Sequence, residues 1–517
     1  YQKDTRNIYK DIYYSKYEMK FDLLKKIDKE VYILLTLFLI TIIIRILFKN
    51  GSVFHWDSLK DVLMIEQTLI TGKLQYSYAY GAPGMIIFVF LFYWLENLIT
   101  GTTSAETSYF FATFLTTGLS IVLLYLISKT ITKDKFISIS AALILCFNAI
   151  FLSVTTYPKT HAIALFFILT SMYLIFSYNK LKKTWPIILS GVFFGLSVAI
   201  RILNVFLILP MLLLYLNPKK MGDGFSIKKD KLKLKNLIYF SISSIGTWYS
   251  LFYNKIKEVG GLLNYLESLL IEQNVAVGWQ GLISPSLKIS LNYLYQSITA
   301  WGLILLILGT IICIKKQKKL FIFLMLWILP SLIYFGNILM PQARFFIILL
   351  PALSLLIAIG ARHIYNKNKI LGILSILILI ILMFSTAYPI INHRHNYSGP
   401  EEFALWINEQ TEENAIIITN DLGFFIEYYG NRTTLSHPRS GDSEEINAFI
   451  RRLKNYSNGE IPIYSTGEGF SIDPEKKVLI EITKHFEITL IGEKETEAYQ
   501  YAELELRKYK EKLFKLN

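Results

Sequence analysis

The residues best suited to chemistry lie just after the first apolar run, in His55-Trp56-Asp57-Ser58-Leu59-Lys60-Asp61. On a helix, Asp57 and Asp61 fall four apart and share a face, while Trp56, Leu59 and Leu63 line a neighbouring apolar stripe. One acidic group within hydrogen-bond reach of a hydroxyl can act as its general base. The same spacing describes an amphipathic helix at a membrane interface with its carboxylates aimed at water. Both readings stand at this level. Arg201 lies between apolar runs of about fifteen and fourteen residues, short of the roughly twenty that a straight crossing needs. An arginine recessed in this way is expensive unless it faces a cavity or an anion, or snorkels to headgroups. Arg344, between Pro341 and Phe345, stands at the mouth of another run and can join Arg201 on a phosphate or serve as an interfacial anchor. Arg45, inside the first run, reads as a snorkelling residue. Lys159 and His161 share a short polar loop and are candidates for touching phosphate or acceptor; Gly278-Trp279-Gln280-Gly281 has the aromatic-amide character that suits sugar binding.

These candidates are carried by a polytopic α-helical membrane protein. Hydrophobic residues make up 53% of 517, charged residues 18%, and mean hydropathy is +0.42. That composition, in long apolar runs, excludes a soluble globule. The net charge of +14 is gathered in short clusters between those runs, a sign of membrane topology and not of nucleic-acid binding. The two cysteines, Cys146 and Cys313, both lie in apolar runs, so neither a disulfide framework nor a cysteine metal site is expected. The first apolar run starts at Val31 without a small-residue cleavage site and reads as a signal-anchor helix. The first eighteen residues, ahead of Met19, read as a remnant or extension.

Six basic clusters fix the threading: Lys3 to Lys29, Lys129 to Lys135, Lys180 to Lys183, Lys219 to Lys235, Lys315 to Lys319 and Arg362 to Lys369. Positive loops stay cytoplasmic. All six do so if the Pro83-initiated run Gly84 to Leu95 dips into the membrane without crossing. The expectation is then eleven spans, a cytoplasmic N-terminus and an extracytoplasmic C-terminus. The short spans Pro186 to Ile200, Leu203 to Leu216 and Leu237 to Phe252 are among them. Residues 1–30 form a cytoplasmic tail, 31–397 the transmembrane domain with an outer loop at 49–106, and 398–517 an extracytoplasmic α/β domain. After residue 397 there are 22 Asp/Glu against 14 Lys/Arg, a net of −8. Strands are expected at Ala415 to Thr419, Lys477 to Thr483 and Phe486 to Ile491. Helices are expected at Glu401 to Gln410, Glu444 to Lys454 and Thr496 to Phe514. This domain contains neither a phosphate loop nor a metal-ligand spacing.

The order of motifs resembles the GT-C glycosyltransferases, in particular the branch of protein O-mannosyltransferases and lipid A aminoarabinose transferases. One span leads to an outer loop with an aspartate near its start (His55-Trp56-Asp57), followed by Gly72-Lys73-Leu74-Gln75-Tyr76 and the Pro83-initiated helix. Later come Gly191 to Arg201 and Arg344 to Pro351. The resemblance runs from about Val31 to Ile390. It implies a GT-C fold and transfer of a hexosyl or pentosyl group from a polyprenyl phosphate, dolichyl or undecaprenyl, to a glycan, lipid or protein acceptor at the extracytoplasmic face of the plasma membrane. It maps the catalytic base onto Asp57 and the phosphate grip onto Arg201 and Arg344, with Lys73 and Lys159 beside them; His55, His161 and Trp279 remain for acceptor or sugar. Relatives often carry a second acidic residue directly after the first, where this chain has Ser58. They often carry another in the second outer loop, where Thr155 to His161 has none; Asp61 or Glu66 would have to substitute. A lipid-monophosphate donor needs no metal, whereas a diphosphate donor would call for a divalent ion near Asp57.

Two other functions fit recessed charges in an apolar bundle. A transporter or flippase of lipid-linked glycans usually shows internal repeats in both halves, and none is evident here. A non-catalytic glycan-binding subunit would make Asp57 incidental.

Overall fold

The computed structural model describes residues 29–53, 55–76, 82–181, 183–216, 231–339, 341–420, 422–438, 443–467, 476–498 and 506–517. The tail up to residue 28 and most of the Lys219 to Lys235 cluster lie outside them. The described chain opens with α1 (Lys29–Leu47), α2 (Trp56–Thr71), α3 (Pro83–Thr100), α4 (Ala105–Thr132), α5 (Lys135–Phe147), α6 (Ala149–Thr155) and α7 (Thr160–Leu181). Next come α8 (Trp185–Ile200), α9 (Ile208–Leu216), α10 (Lys231–Glu258), α11 (Leu262–Val277), α12 (Pro285–Lys316), α13 (Lys318–Gly336), α14 (Leu350–Lys367) and α15 (Lys369–Asn396). Two 3-10 segments, Ile202–Leu207 and Ala343–Leu349, interrupt the bundle before α9 and α14.

Eight of the described helical segments are long and apolar enough to cross a membrane, or nine if α5 and α6, bent by 57° at Asn148, count as one. This differs from the expected eleven. α8 and the segment Ile202–Leu214 are too short to pass alone, and α10 falls outside the eight, whereas α3 qualifies by length and composition. Its contacts place α3 differently. Gly84, at its start, packs on Leu196, Ala199 and Ile200 at the end of α8. Glu96, in its last turns, accepts a 2.7 Å hydrogen bond from Ser108 at the start of α4. Both ends of α3 therefore lie at one end of the bundle, the end that carries Asp57. At the opposite end Glu30 pairs with Lys129, and Asp134 with Arg362 at 2.6 Å. This brings the clusters around Lys129 to Lys135 and Arg362 to Lys369 together, away from the site.

Small residues let the helices approach. α8 meets α10 through Gly191 and Gly195, where a Cβ on Gly195 would stand 2.4 Å from the Ser244 carbonyl. α12 meets α14 where Gly309 and Gly360 face each other; a Cβ on Gly309 would lie 1.9 Å from the Leu356 carbonyl oxygen. Backbone-to-backbone packing of this kind replaces the missing hydrophobic driving force between membrane helices. Gly309→Ala is expected to push the pair apart at an overpacking cost of about 1–3 kcal/mol, read as a lowered Tm of the purified protein. An unchanged Tm would mean that the two helices separate freely.

Beyond α15 the chain forms α16 (Gly399–Gln410), β1 (Ile416–Thr419), α17 (Gly423–Tyr428), β2 (Thr433–Ser436), α18 (Ser443–Asn458), β3 (Ile463–Thr466), α19 (Lys477–Thr483), β4 (Ile488–Ala498) and β5 (Arg507–Leu516). The sheet order is β2-β1-β3-β5-β4, with β1 parallel to β2 and β3, and the remaining pairs antiparallel. Two expected elements are corrected. Lys477 to Thr483 is a helix, because Val478 and Ile482 fall one turn apart and both bury beside Phe486. Thr496 to Phe514 is no helix over its described residues: it falls in β4 and β5, where Glu493 pairs with Lys510 and Lys512, and Glu497 with Lys508.

Candidate active site

Asp57 is placed by α2, and α2 is placed by what covers it. Leu59, Val62 and Ile65 are fully buried against α3, α4 and α17, and Asp61 is buried with them. The helix is thus wedged between the bundle and the C-terminal domain, which corrects the expectation of an interfacial helix with both carboxylates toward water. The apolar stripe is met by protein on both sides; Lys60, for example, lies 5.7 Å from the ring centroid of Phe424. His55 caps the helix, its Nδ1 accepting the Asp57 N–H at 3.2 Å, so that nitrogen carries no proton. The cap fixes the direction in which Asp57 leaves the first turn.

Lys159 reaches the same place from the loop between α6 and α7. Its side chain is 2% exposed, and Nζ lies 2.8 Å from Asp57 Oδ2 and 3.2 Å from His55 Nδ1. The loop is held from three directions. Arg45 donates to Thr155 Oγ1 at 3.1 Å and to the Cys146 carbonyl at 2.9 Å. Arg394 donates to the Ser153 carbonyl at 3.0 Å and lies over Tyr157. The Asn50 N–H donates to the Thr156 carbonyl at 3.2 Å. Arg45 is fully buried, which corrects its reading as a snorkelling residue: carbonyl and hydroxyl acceptors at the α5–α6 break satisfy it inside the bundle.

Arg344 completes the cluster from the 3-10 segment before α14. Its Nη2 lies 3.2 Å from Asp57 Oδ2, and Nη1 faces His55 Nε2. Trp327 anchors that segment by donating to the Ile348 carbonyl at 2.8 Å. Both cations thus sit on one carboxylate oxygen. Burial alone would raise the Asp57 pKa, but Lys159 and Arg344 override it and hold the carboxyl well below its usual range. Asp61 goes the other way. Burial, reinforced by the charge of Asp57 and opposed by Lys159, pushes it up to about 7, and Tyr109 Oη donates to its Oδ2 at 3.1 Å. Lys159 is brought down to about 8 by burial, with Arg344 adding and Asp57 opposing. Burial, then Lys159 and Arg344, keep His55 well below its normal range and therefore neutral.

Beside this cluster lies a narrow cleft with room for about one water molecule, lined by His161, Leu165, Arg201, Asn204, Phe335, Phe345, Ile347 and Ile348. Arg201 occupies the extended break after α8 and donates through Nη1 to His161 Nδ1 at 3.2 Å. An arginine is always the donor, so a neutral His161 carries its proton on Nε2. That Nε2 is buried and has no hydrogen-bond partner among the described residues. Asn204 is fixed by donating to Ser197 Oγ at 2.7 Å. The guanidiniums of Arg201 and Arg344 both rest on the ring of Phe345, at 5.7 and 5.5 Å, and Phe345 stacks on Phe335. One aromatic ring therefore joins the cleft to the Asp57 cluster.

Asp57, Asp61, His55, Lys159, Arg344, Arg201 and His161, far apart in sequence, are brought together. Two candidates are not. Lys73 is exposed just past α2, and among the described residues its hydrogen bonds are those of its backbone with Thr71 and Gln75, none of them to the cluster. Trp279 is 49% exposed and its backbone bridges to Ile338, with no contact to the cluster among the described residues. Sequence reasoning missed Tyr109, Asn204 and Phe345 as site residues. Only Phe345 carried a signal, as the aromatic neighbour of Arg344. No group of three or more His, Cys, Asp or Glu among the described residues is arranged to hold a metal.

Residues 83–248 match the family described as dolichyl-phosphate-mannose-protein mannosyltransferase. No curated protein sequence matches the chain. Among solved structures, it is similar to ArnT from Cupriavidus metallidurans bound to undecaprenyl phosphate. The TM-score is 0.60 at 9% identity, over 94% of this chain and 97% of that one. The apo state of the same protein gives 0.59 at 10% identity over the same shares. The arabinofuranosyltransferase AftD from Mycobacteria gives 0.50 at 10% identity, over 94% of this chain and 40% of the other. At such identities the structural likeness speaks for the fold.

Proposed function

We propose that this chain, an integral membrane protein with the GT-C fold, transfers a sugar from a polyprenyl-phosphate carrier to an acceptor hydroxyl, with Asp57 as general base. The observation that carries this reading is the cleft beside Asp57. A charged Arg201 and a buried His161 Nε2 with no partner among the described residues line the same space, and the free oxygens of the donor phosphodiester, or of the monoester released from it, would satisfy both. Phe335, Phe345, Ile347 and Ile348 give the cleft an apolar wall, which would have to part to admit the first isoprene units. The undecaprenyl phosphate in the similar ArnT structure supports the choice of carrier.

In this reaction the acceptor oxygen attacks the anomeric carbon while the bond from that carbon to the phosphate oxygen breaks. The phosphate leaves with the electron pair, and Arg201, His161 and Arg344 stabilise the charge it gains. The proton passes to Asp57. Among the described residues Lys159 and Arg344 both sit on Oδ2, which leaves Oδ1 to take the proton. Direct displacement inverts the anomeric centre. By the distribution of basic clusters, the site faces the extracytoplasmic side and the C-terminal domain lies there with it. The sugar transferred is a hexosyl or pentosyl group, and the acceptor a glycan, lipid or protein hydroxyl.

The test is binding in lipid nanodiscs. Geranylgeranyl monophosphate is expected to bind the wild-type protein and geranylgeraniol is not, with tail density ending at Arg201 and His161 in a cryo-EM map. Equal binding of the two, or a cleft without density, would remove the transferase reading.

A further inference from the structure

One of the two cations that hold Asp57, Arg344, rests on the same Phe345 ring as Arg201, the cation that lines the proposed phosphate site. Arg344 is bonded to Asp57 Oδ2 and shares the Phe345 ring with Arg201, while Lys159 is bonded to the same oxygen. A carboxylate carrying two cations on one oxygen is a weak proton acceptor. A phosphate beside Arg201 would compete for Arg344, because an arginine fork serves carboxylate and phosphate alike.

We infer that Arg344 is shared between Asp57 and the carrier phosphate, so that donor binding unmasks Asp57 as a base and an ionised Asp57 opposes donor binding. This rests on the transferase reading of the cleft. It makes Arg344 a positioning residue for the base as well as a ligand of the phosphate, and it orders the reaction. Before the carrier is in place, the base is tied to Arg344 and Lys159 and cannot take a proton from an acceptor or from water. Once the phosphate draws Arg344 away, Asp57 is left with Lys159 alone and its basicity rises. The coupling is reciprocal by thermodynamic necessity. Whatever factor the phosphate gains from a neutral residue at position 57, the base gains from bound phosphate.

The experiment measures geranylgeranyl monophosphate affinity in nanodiscs, with geranylgeraniol as control, for wild type, Asp57→Asn, Arg344→Gln and the double variant. Asp57→Ala serves as a second neutral residue if the asparagine amide disturbs Lys159, and gel filtration checks the fold of each. Asp57→Asn is expected to bind roughly tenfold more tightly than wild type, within the usual range of site coupling, and the gain is expected to vanish in the Arg344→Gln background. Wild-type binding with no gain in Asp57→Asn and Asp57→Ala overturns the sharing while leaving the transferase reading intact. A gain that persists without Arg344 overturns it too, because it would come from the removed charge acting at a distance. Failure of wild type to prefer phosphate over alcohol overturns the reading of the cleft and the sharing with it.

Discussion

Asp57→Asn is expected to lower kcat by about two to four orders of magnitude while the donor KM falls or stays level. The substitution keeps the shape of the side chain and removes its capacity to take a proton. Lys159 and Arg344 lose their charged partner, but Lys159 keeps His55 Nδ1 in reach at 3.2 Å, and both can donate to the asparagine amide oxygen. α2 itself is held by Leu59, Val62 and Ile65, which the change does not touch. Transfer from a polyprenyl-phosphate-linked sugar, followed as product over time in nanodiscs at saturating donor, gives the number. A glycan-binding subunit has no turnover to lose, and a flippase would keep its rate because it needs no base. Full turnover in Asp57→Asn would show that the proton goes elsewhere. Asp61 is then the next residue to change: it lies one turn along, is pushed up to about 7, and is hydrogen-bonded by Tyr109.

The anchors of this site were legible because each breaks a local rule. Asp57 interrupts an apolar context soon after a span, Arg201 sits between two runs too short to cross straight, and Arg344 stands at a helix mouth. What joins them was not legible. Lys159 and Asp57 are 102 positions apart and Arg344 and Asp57 are 287 apart, and no spacing rule relates residues that meet only through packing. The same limit explains the misread Arg45. A charge near the end of an apolar run normally reaches for headgroups, but here the broken α5–α6 pair supplies carbonyl and hydroxyl acceptors inside the bundle. Lys73 was drawn in by its motif and left out by the fold, since the αL cap at Gly72 ends α2 before the chain can turn back.

In the C-terminal domain the errors came from propensity. Glu, Lys, Ala and Leu favour helix, and the stretch from Thr496 to Phe514 is rich in them. Alternating charge along β4 and β5 was the better signal, because cross-strand Glu–Lys pairs need period two. Ile416 to Thr419, buried at every position beside two parallel neighbours, was an easy strand for the opposite reason.

Arg201→Gln is expected to weaken geranylgeranyl monophosphate binding by about 10- to 150-fold, the worth of a hydrogen bond to a charged group at 1.5–3 kcal/mol. The loss in kcat/KM is expected to be larger than the loss in affinity. Charge on the leaving phosphate grows toward the transition state, so a cation facing it contributes more there than in the bound donor. The guanidinium donates to His161 Nδ1 at 3.2 Å and thereby keeps the proton on the Nε2 that lines the cleft. Glutamine at 201 retains a donor for His161 but no charge, so the deficit reports the missing cation more than a misplaced ring. Lys73→Gln is the matched control, removing one positive charge from an exposed position outside the cleft. Its affinity should stay within about twofold of wild type if local geometry decides, since exposed charges more than about 10 Å apart are screened at ordinary salt. Equal losses in the two variants would instead mean that the phosphate is drawn by the overall positive field of the bundle. Arg201 would then be a structural residue, and the phosphate would have to be placed on Arg344 and Lys159 alone.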